Sequence, residues 1–308
     1  MSRSQQQQPS VSAIIVNYKS GAYAVECIRS LLDQKYDSLE IIVADNASGD
    51  GSVDMLRSAF GNVIKLIESP DNLGFGQANN LAASHAKGDY LLLVNPDARL
   101  LDSAFISTLV SFLEQQPQIG IVGPEIYEPS KQKYVLPKKK YPSEGRLKNK
   151  DTLIRLPGPY AWILGACMCL KRSLYEQIGG FDPDFFLYGE DTDICLRVRK
   201  AGYQVGYCEA AKLTHVGGAS EAVAIPLDKF LRKKRGFFLF CRKHYAAADV
   251  KRIARLSLVT TYFASLKVAI RKLLGMGNEQ DLNNRLQRID ATRIVIRETI
   301  EHYRETRA

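Results

Sequence analysis

"YLLLVNPDARL", residues 90–100, sets an unbroken apolar run against an abrupt polar stop at Asn95-Pro96-Asp97. Leu91, Leu92, Leu93 and Val94 read as a strand buried on both faces, as in a sheet covered by helices. Asn-Pro and Pro-Asp both favour turns, so a solvent-facing turn accounts for the stop. A ligand site also accounts for it, because open α/β sheets bind ligands just beyond the carboxyl ends of their strands, but from this stretch alone the turn is the simpler reading.

The preceding residues bear on that choice. "VSAIIVNY" (11–18) is a β-branched run ending in polar residues, and "LEIIVADNAS" (39–48) is a second buried run ending on Asp45. Between them "AYAVECIRSLLDQ" places Val25, Ile28, Leu31 and Leu32 at helical spacing. "SGDGSVDMLRSAF" offers cap residues and then Val53, Leu56 and Phe60 on one helical face. "VIKLIES" (63–69) is a third strand, followed by the glycine-rich "PDNLGFGQANNLAASHA", whose second half is a helix of small residues. This β-α alternation predicts an α/β fold with a mostly parallel central sheet and helices on both faces. Asn17, Asp45 and Asp97 then line one edge of the sheet. Such regular placement favours the ligand-site reading of Asp97.

The chain has 308 residues, 45% hydrophobic and 24% charged, an ordinary globular composition. Residues 1–10 are polar and glutamine-rich and read as a short disordered lead. No run approaches the ~18 uninterrupted apolar residues of a membrane span. The six cysteines sit inside apolar runs without paired metal-ligand spacing, which points to buried thiols in a reduced cytoplasm. The net charge of +9 is uneven: from Asp228 onward 19 Lys/Arg face 8 Asp/Glu, so this quarter carries all the excess. A basic tail suits nucleic acid, an anionic membrane surface, or simply a solvated helical face.

Residues 125–160, rich in Lys and Pro, lack periodicity and read as a mobile surface loop. Order is expected again from "YAWILGACMCLK". In "GEDTDICLRVRK" Asp191 and Ile194–Val198 look like a helix start with an acidic first turn, which helix capping alone would favour. A strand or two then lead to His215. Past residue 226 Leu256, Val259, Phe263, Leu266, Ile270 and Leu273 are spaced 3-4-3-4-3, an amphipathic helix with Lys and Arg around it. A last helix carries Leu282, Leu286, Ile289, Ile296, Ile300 and Tyr303, a stripe for packing on the domain or on a second subunit as a homodimer.

Seven motifs in order, "VSAIIVNY", "IIVADNASGDGS", "DNLGFGQANN", "LLLVNPDARL", "GACMCLKRSLYEQIGGFDPDFF", "GEDTDICLRVRKAGY" and "THVGGAS", resemble family-2 glycosyltransferases over roughly residues 11–220. The closest likeness is to the rhamnosyltransferase-like branch of bacterial surface-polysaccharide synthesis. The resemblance implies a GT-A nucleotide-diphospho-sugar transferase domain over 11–226 with an acceptor-side loop at 125–160, while the periodicity and charge of residues 227–308, to which no motif carries over, read as a helical basic region. It implies an inverting enzyme that uses Mg²⁺ or Mn²⁺, a dTDP- or UDP-sugar donor, rhamnose first among them, and a glycan or lipid-linked acceptor. By the same resemblance Asn17, Tyr18 and Asp45 hold the donor's base and ribose. Asn72, Gly74 and Asn79 line the nucleotide pocket, and Asn95 stands in the family's D-x-D variant. Asp97 would ligate the metal, with His215 completing its site. Asp191 would be the catalytic base, Glu190 would help hold the acceptor, and Trp162 and Gly165 would border it.

Asn95 replaces the first acid of a full D-x-D, and Arg99 follows where a small residue is expected. Mg²⁺ often uses only one or two protein carboxylates, so a single Asp is sufficient. A sugar nucleotidyltransferase would carry an Arg- and Lys-containing glycine loop after the first strand, where "NYKSGAY" stands. An inactive nucleotide-sugar-binding module is the other alternative, opposed by the presence of Asp97, Glu190, Asp191 and His215. For the basic tail, an amphipathic helix with basic flanks favours an anionic membrane surface over nucleic acid, and a peripheral position on the inner face of the plasma membrane.

Overall fold

A computed structural model describes residues 8–217 and 226–305. Most of the expected N-terminal lead and the last three residues of "THVGGAS" lie outside the described residues.

Strands β1 (Val11–Asn17), β2 (Leu39–Asn46), β3 (Lys65–Ser69) and β4 (Tyr90–Val94) alternate with helices α1 (Gly21–Leu32), α2 (Ser52–Phe60) and α3 (Phe75–Ala83). They pair in parallel in the order β3-β2-β1-β4. Then come β5 (Ala98–Leu100), α4 (Phe105–Gln115), β6 (Ile119–Glu128), β7 (Lys133–Val135), α5 (Asp151–Ile154), β8 (Cys167–Lys171), α6 (Arg172–Gln177), α7 (Glu190–Lys200) and β9 (Gln204–His215). From β4 the sheet continues β8-β6-β9-β5, with β7 paired to β6. The β4–β8, β8–β6, β9–β5 and β6–β7 pairs are antiparallel, so the whole sheet is mixed and only its first half is parallel throughout. The antiparallel β8 was not recognisable as such, because Cys167–Leu170 is buried on both faces and has the composition of a parallel strand.

Alternation along each strand divides the core in two. Val11, Ala13 and Ile15 of β1 and Leu92 and Val94 of β4 face α1, α2 and α4. Ile14, Leu91 and Leu93 face α3, α6 and α7 on the other side. The strand rungs are thus fixed from both faces, which makes their carboxyl ends a rigid platform. All six cysteines are buried and unbridged.

The chain divides into two compact units. The first holds the sheet and α1–α4, α6 and α7. The second comprises residues 142–154, 187–189 and 221–308, with α5, α8 (Pro226–His244), α9 (Ala247–Leu273) and α10 (Glu279–Glu305) among its described parts. The Lys- and Pro-rich segment is therefore not a plain loop. β6 and β7 occupy its start and Tyr141 is buried in the first unit. Pro142 accepts from the Tyr245 hydroxyl (2.7 Å), Lys148 N–H donates to Asp249 (2.9 Å), and Leu147 and Leu153 are buried in the second unit. Its composition concealed these few anchors among solvated lysines.

Within the second unit Leu282, Ile289 and Ile296 of α10 are buried, so much of its stripe packs inside the chain, Leu282 and Ile289 against Val268 of α9. Phe238 and Phe240 of α8 are core residues as well. The α9 stripe behaves differently: Leu256, Val259, Phe263, Leu266, Ile270 and Leu273 are all exposed. Among the described residues α9 is the helix long and apolar enough to cross a bilayer. Arg255 and Lys267 interrupt it, which is why the sequence offers no unbroken apolar run there.

Candidate functional site

The parallel register sets Asn17, the last residue of β1, beside Asp45 of β2. The Asn17 amide donates to Asp45 Oδ1 (2.7 Å) and to Ser48 Oγ (3.1 Å). The Ser48 hydroxyl and N–H donate to the two oxygens of Asp45 at 2.6 and 3.1 Å. Asn17 Oδ1 is buried with no partner among the described residues, an acceptor available to a ligand N–H. Beside Asp45 a cleft of about 470 Å³ opens, bordered by Ala47, Gly49, Arg57 and Ser69. Tyr18 follows Asn17 past the end of β1, half-buried, with Lys19 over its ring.

Asn46, which sequence reasoning missed, links this end of β2 to the glycine-rich loop. Its amide donates to Asn72 Oδ1 (3.0 Å) and the Gly74 carbonyl (3.3 Å), while its own oxygen accepts from Leu73 N–H (2.8 Å). Gly74 has φ +79°, and a Cβ there would lie 2.3 Å from the Phe186 carbonyl oxygen. Only glycine fits both demands. Asn79 is buried one turn into α3, and its amide donates to the Phe75 carbonyl (2.9 Å), bracing the helix.

Past the tip of β4, Asp97 and His215 meet because β5 pairs Ala98 with His215 of β9. His215 Nε2 lies 3.2 Å from Asp97 Oδ1 and 3.2 Å from the Asn95 amide. Gly217 N–H donates to Asp97 Oδ2 (3.0 Å). Two ligands about 2.1 Å from one octahedral cation stand about 3 Å apart on adjacent corners, so this carboxylate and imidazole suit a shared divalent ion. The buried Asn95 Oδ1 and His215 Nδ1 have no partner among the described residues. Among the described residues no set of three or more His, Cys, Asp and Glu is grouped for a metal.

The acidic cluster opens α7. Asp191 Oδ1 accepts from Thr192 N–H (2.7 Å) and the Thr192 hydroxyl (3.2 Å), and Oδ2 from Gly165 N–H (3.4 Å). A Cβ on Gly165 would lie 3.2 Å from that of Asp191, tight enough to displace it. Asp193 is tied to Arg197 (2.7 Å). Glu190 is buried, and its Oε2 has no partner among the described residues. Burial, then the charges of Asp191 and Asp193, push its carboxyl well above the usual range; burial raises Asp191 too, against the pull of its donors. Of the two, Glu190 is the carboxyl whose neutral form burial and its acidic neighbours favour, while the donors to Asp191 favour its charged form.

One backbone contact joins the two acidic groups: Asn95 N–H donates to the Ala166 carbonyl (2.9 Å), one residue from Gly165. Asp97 and His215 thus lie within a few residues of Asp191 across the β4–β8 junction. Trp162 is half-buried, its indole N–H committed to the Lys140 carbonyl (3.2 Å) and its backbone paired with Lys138. A second residue missed in the sequence is Arg199, at the far end of α7. Its buried guanidinium donates to the carbonyls of Leu156, Pro157 and Gly158 and to the Tyr141 hydroxyl, at 2.9 to 3.2 Å. The segment leading to Trp162 and Gly165 is thereby fixed to the helix that carries Asp191.

Known proteins resemble this chain in sequence and in fold. Residues 12–179 match the family model described as glycosyl transferase family 2, and residues 146–217 match one described as N-terminal domain of galactosyltransferase. An N-acetylglucosaminyl-diphospho-decaprenol L-rhamnosyltransferase of Mycobacterium tuberculosis is 26% identical over 66% of this chain and 74% of its own. The O-antigen chain rhamnosyltransferase WbaN of Salmonella anatum is 23% identical over 67% of this chain and 66% of its own. Among solved structures, the mannosyltransferase PcManGT of Pyrobaculum calidifontis, in complex with GDP-Man and Mn²⁺, has a TM-score of 0.58 at 18% identity, covering 94% of this chain and 87% of its own. S. aureus TarS 1–349 in complex with UDP has a TM-score of 0.52 at 16% identity, covering 96% and 92%. With its family model matched over more than half its length and its sheet matched in those neighbours, the chain belongs to glycosyltransferase family 2 and is a glycosyltransferase of the GT-A fold.

Proposed function

We propose that the protein transfers a sugar, rhamnose from dTDP-rhamnose being the first donor to try, to a hydroxyl of a glycan or lipid-linked acceptor during cell-surface polysaccharide synthesis. The reaction inverts the anomeric carbon and takes place on the cytoplasmic face of the membrane. Its donor is supported by the names of the rhamnosyltransferase relatives, with a UDP-sugar as the alternative base. The observation that supports the reading is the Asn95–Ala166 contact, which brings the Asp97–His215 pair and the segment that touches Asp191 together at one strand end.

In this reading Asn17 and Asp45 hold the base and ribose, and the Asn46–Asn72–Gly74 loop closes over the nucleotide. Asp97 and His215 would hold Mg²⁺ or Mn²⁺, which supplies positive charge to a departing diphosphate. Asp191 takes the proton of the acceptor hydroxyl as that oxygen attacks. Glu190, protonated at neutral pH, donates a hydrogen bond to the acceptor. Gly165 N–H holds Asp191 toward the substrate. Trp162 and Gly165 border the acceptor.

Asp191→Asn tests it. Transfer is expected to fall by about 10²–10⁴ while calorimetric donor affinity is retained. Undiminished turnover would remove Asp191 from the chemistry. Donor binding without transfer in the unaltered protein would favour a binding module.

A further inference from the structure

The exposed stripe of α9 lies outside the residues assigned to the transfer reaction. Phe263 is 64%, Leu266 58% and Leu273 86% exposed, and Leu256, Val259 and Ile270 continue the row. Over the 17 rises from Leu256 to Leu273 the stripe is about 26 Å long. Large contiguous apolar surfaces of this kind mark interaction sites.

The buried side of the same helix shows how the stripe is presented. Val250, Ile253, Ala254, Thr261 and Val268 are buried. At about 100° per residue these lie nearly opposite the Leu256–Leu273 row. The helix is thus apolar on two faces, one covered within its own unit and one bare. Charge identifies what covers the bare one. From Val250 to Asn278 there is no Asp or Glu, whereas six Lys or Arg occur. By the same helical arithmetic Lys251 and Arg255 fall along one border of the stripe and Lys267 and Arg271 along the other. A partner must therefore combine an apolar interior with a negative surface.

We infer that α9 docks the protein on an anionic lipid bilayer, lying in the plane of the interface with Phe263 and Leu266 in the acyl boundary and its flanking cations among the headgroups. A transbilayer orientation is opposed by α10. Its Arg293 donates to Ser265 of α9 (2.8 Å) and stacks on Tyr262, and Arg285, Arg288 and Asp281 share that helix, so spanning would carry this charged partner into hydrocarbon. The inference deepens the proposed membrane location. It is read without turnover, so it stands or falls separately from the donor chemistry.

The test is co-sedimentation of the full chain with vesicles of phosphatidylcholine alone and of equal parts phosphatidylcholine and phosphatidylglycerol, at low and high salt. Binding is expected only with phosphatidylglycerol and is expected to weaken with salt. Removing Lys267 and Arg271 together (K267A/R271A) should weaken it by about fivefold per charge. F263E/L266E should abolish it. Both variants alter exposed side chains only, and an unchanged helical circular-dichroism spectrum and thermal unfolding transition verify that each is folded. Failure of the unaltered protein to bind anionic vesicles would overturn the proposal. So would vesicle binding undisturbed by F263E/L266E, or a dimer in sedimentation that F263E/L266E converts to monomer without any vesicle binding, which would make the occupant a second copy.

Discussion

Replacing Glu190 by glutamine isolates the electrostatics of the α7 carboxylates. Burial and the neighbouring acids raise Glu190 from 4.5 to about 8 in the folded protein. At about 1.4 kcal/mol per pK unit, that shift corresponds to a ceiling of about 5 kcal/mol, belonging to the Glu190–Asp191 pair as a whole. The sign follows from proton counting. Below the unfolded value both states hold the proton, and the native state has its full stability from this group. Between that value and about 8 the unfolded chain has lost a proton that the native state keeps, so stability falls as pH rises, by up to about 1.4 kcal/mol per pH unit. Above about 8 the loss is complete. In Glu190→Gln the amide keeps the shape of the side chain and cannot ionise. Urea unfolding from about pH 5 to pH 8.5 is therefore expected to show the variant gaining several kcal/mol on the unaltered protein toward the alkaline end. A stability difference constant within about 0.5 kcal/mol over that range would refute the assignment of the proton to this pair.

Other perturbations follow from the same geometry. Arg199→Ala removes four hydrogen bonds and leaves buried carbonyls unpaired, so unfolding free energy should fall by about 3 kcal/mol or more. Arg199→Lys cannot reproduce the fork and should restore only part of it, with the acceptor KM raised more than donor affinity changes. Gly74→Ala meets both a positive φ and the Phe186 carbonyl, so it should cost at least about 1 kcal/mol of stability and weaken nucleotide binding several-fold, measured by thermal melts with and without nucleotide.

The strand tips were legible because a parallel sheet covered on both faces needs apolar runs, and a run that ends on Asn17, Asp45 or Asp97 shows where cover ceases. The glycine-rich loop was legible for a related reason, since Gly74 occupies a backbone state closed to other residues. The antiparallel half of the sheet was hidden, because burial on both faces erases the alternation that would distinguish β8. Arg199 was hidden because its partners are backbone carbonyls some 40 residues away, and carbonyls leave no mark in sequence. Asn46 looked like a turn residue after Asp45, and only the fold brings Asn72 to it. Periodicity located both apolar stripes in the C-terminal quarter. It could not separate the α10 stripe, whose Leu282, Ile289 and Ile296 are buried within the chain though Leu286 is exposed, from the α9 stripe, which faces outward throughout, since covering depends on a third helix.

In the proposed reaction the strand ends carrying Asp45 and Asp97 bind a nucleoside diphosphate through a divalent cation. Isothermal titration of dTDP, UDP and GDP into the full chain, with Mn²⁺, Mg²⁺ or EDTA, tests it most directly. The account predicts cation-dependent binding of dTDP or UDP that EDTA removes and Asp97→Ala abolishes. Absence of binding with either cation, or binding indifferent to both EDTA and Asp97→Ala, would contradict it and return Asn95-Pro96-Asp97 to a turn.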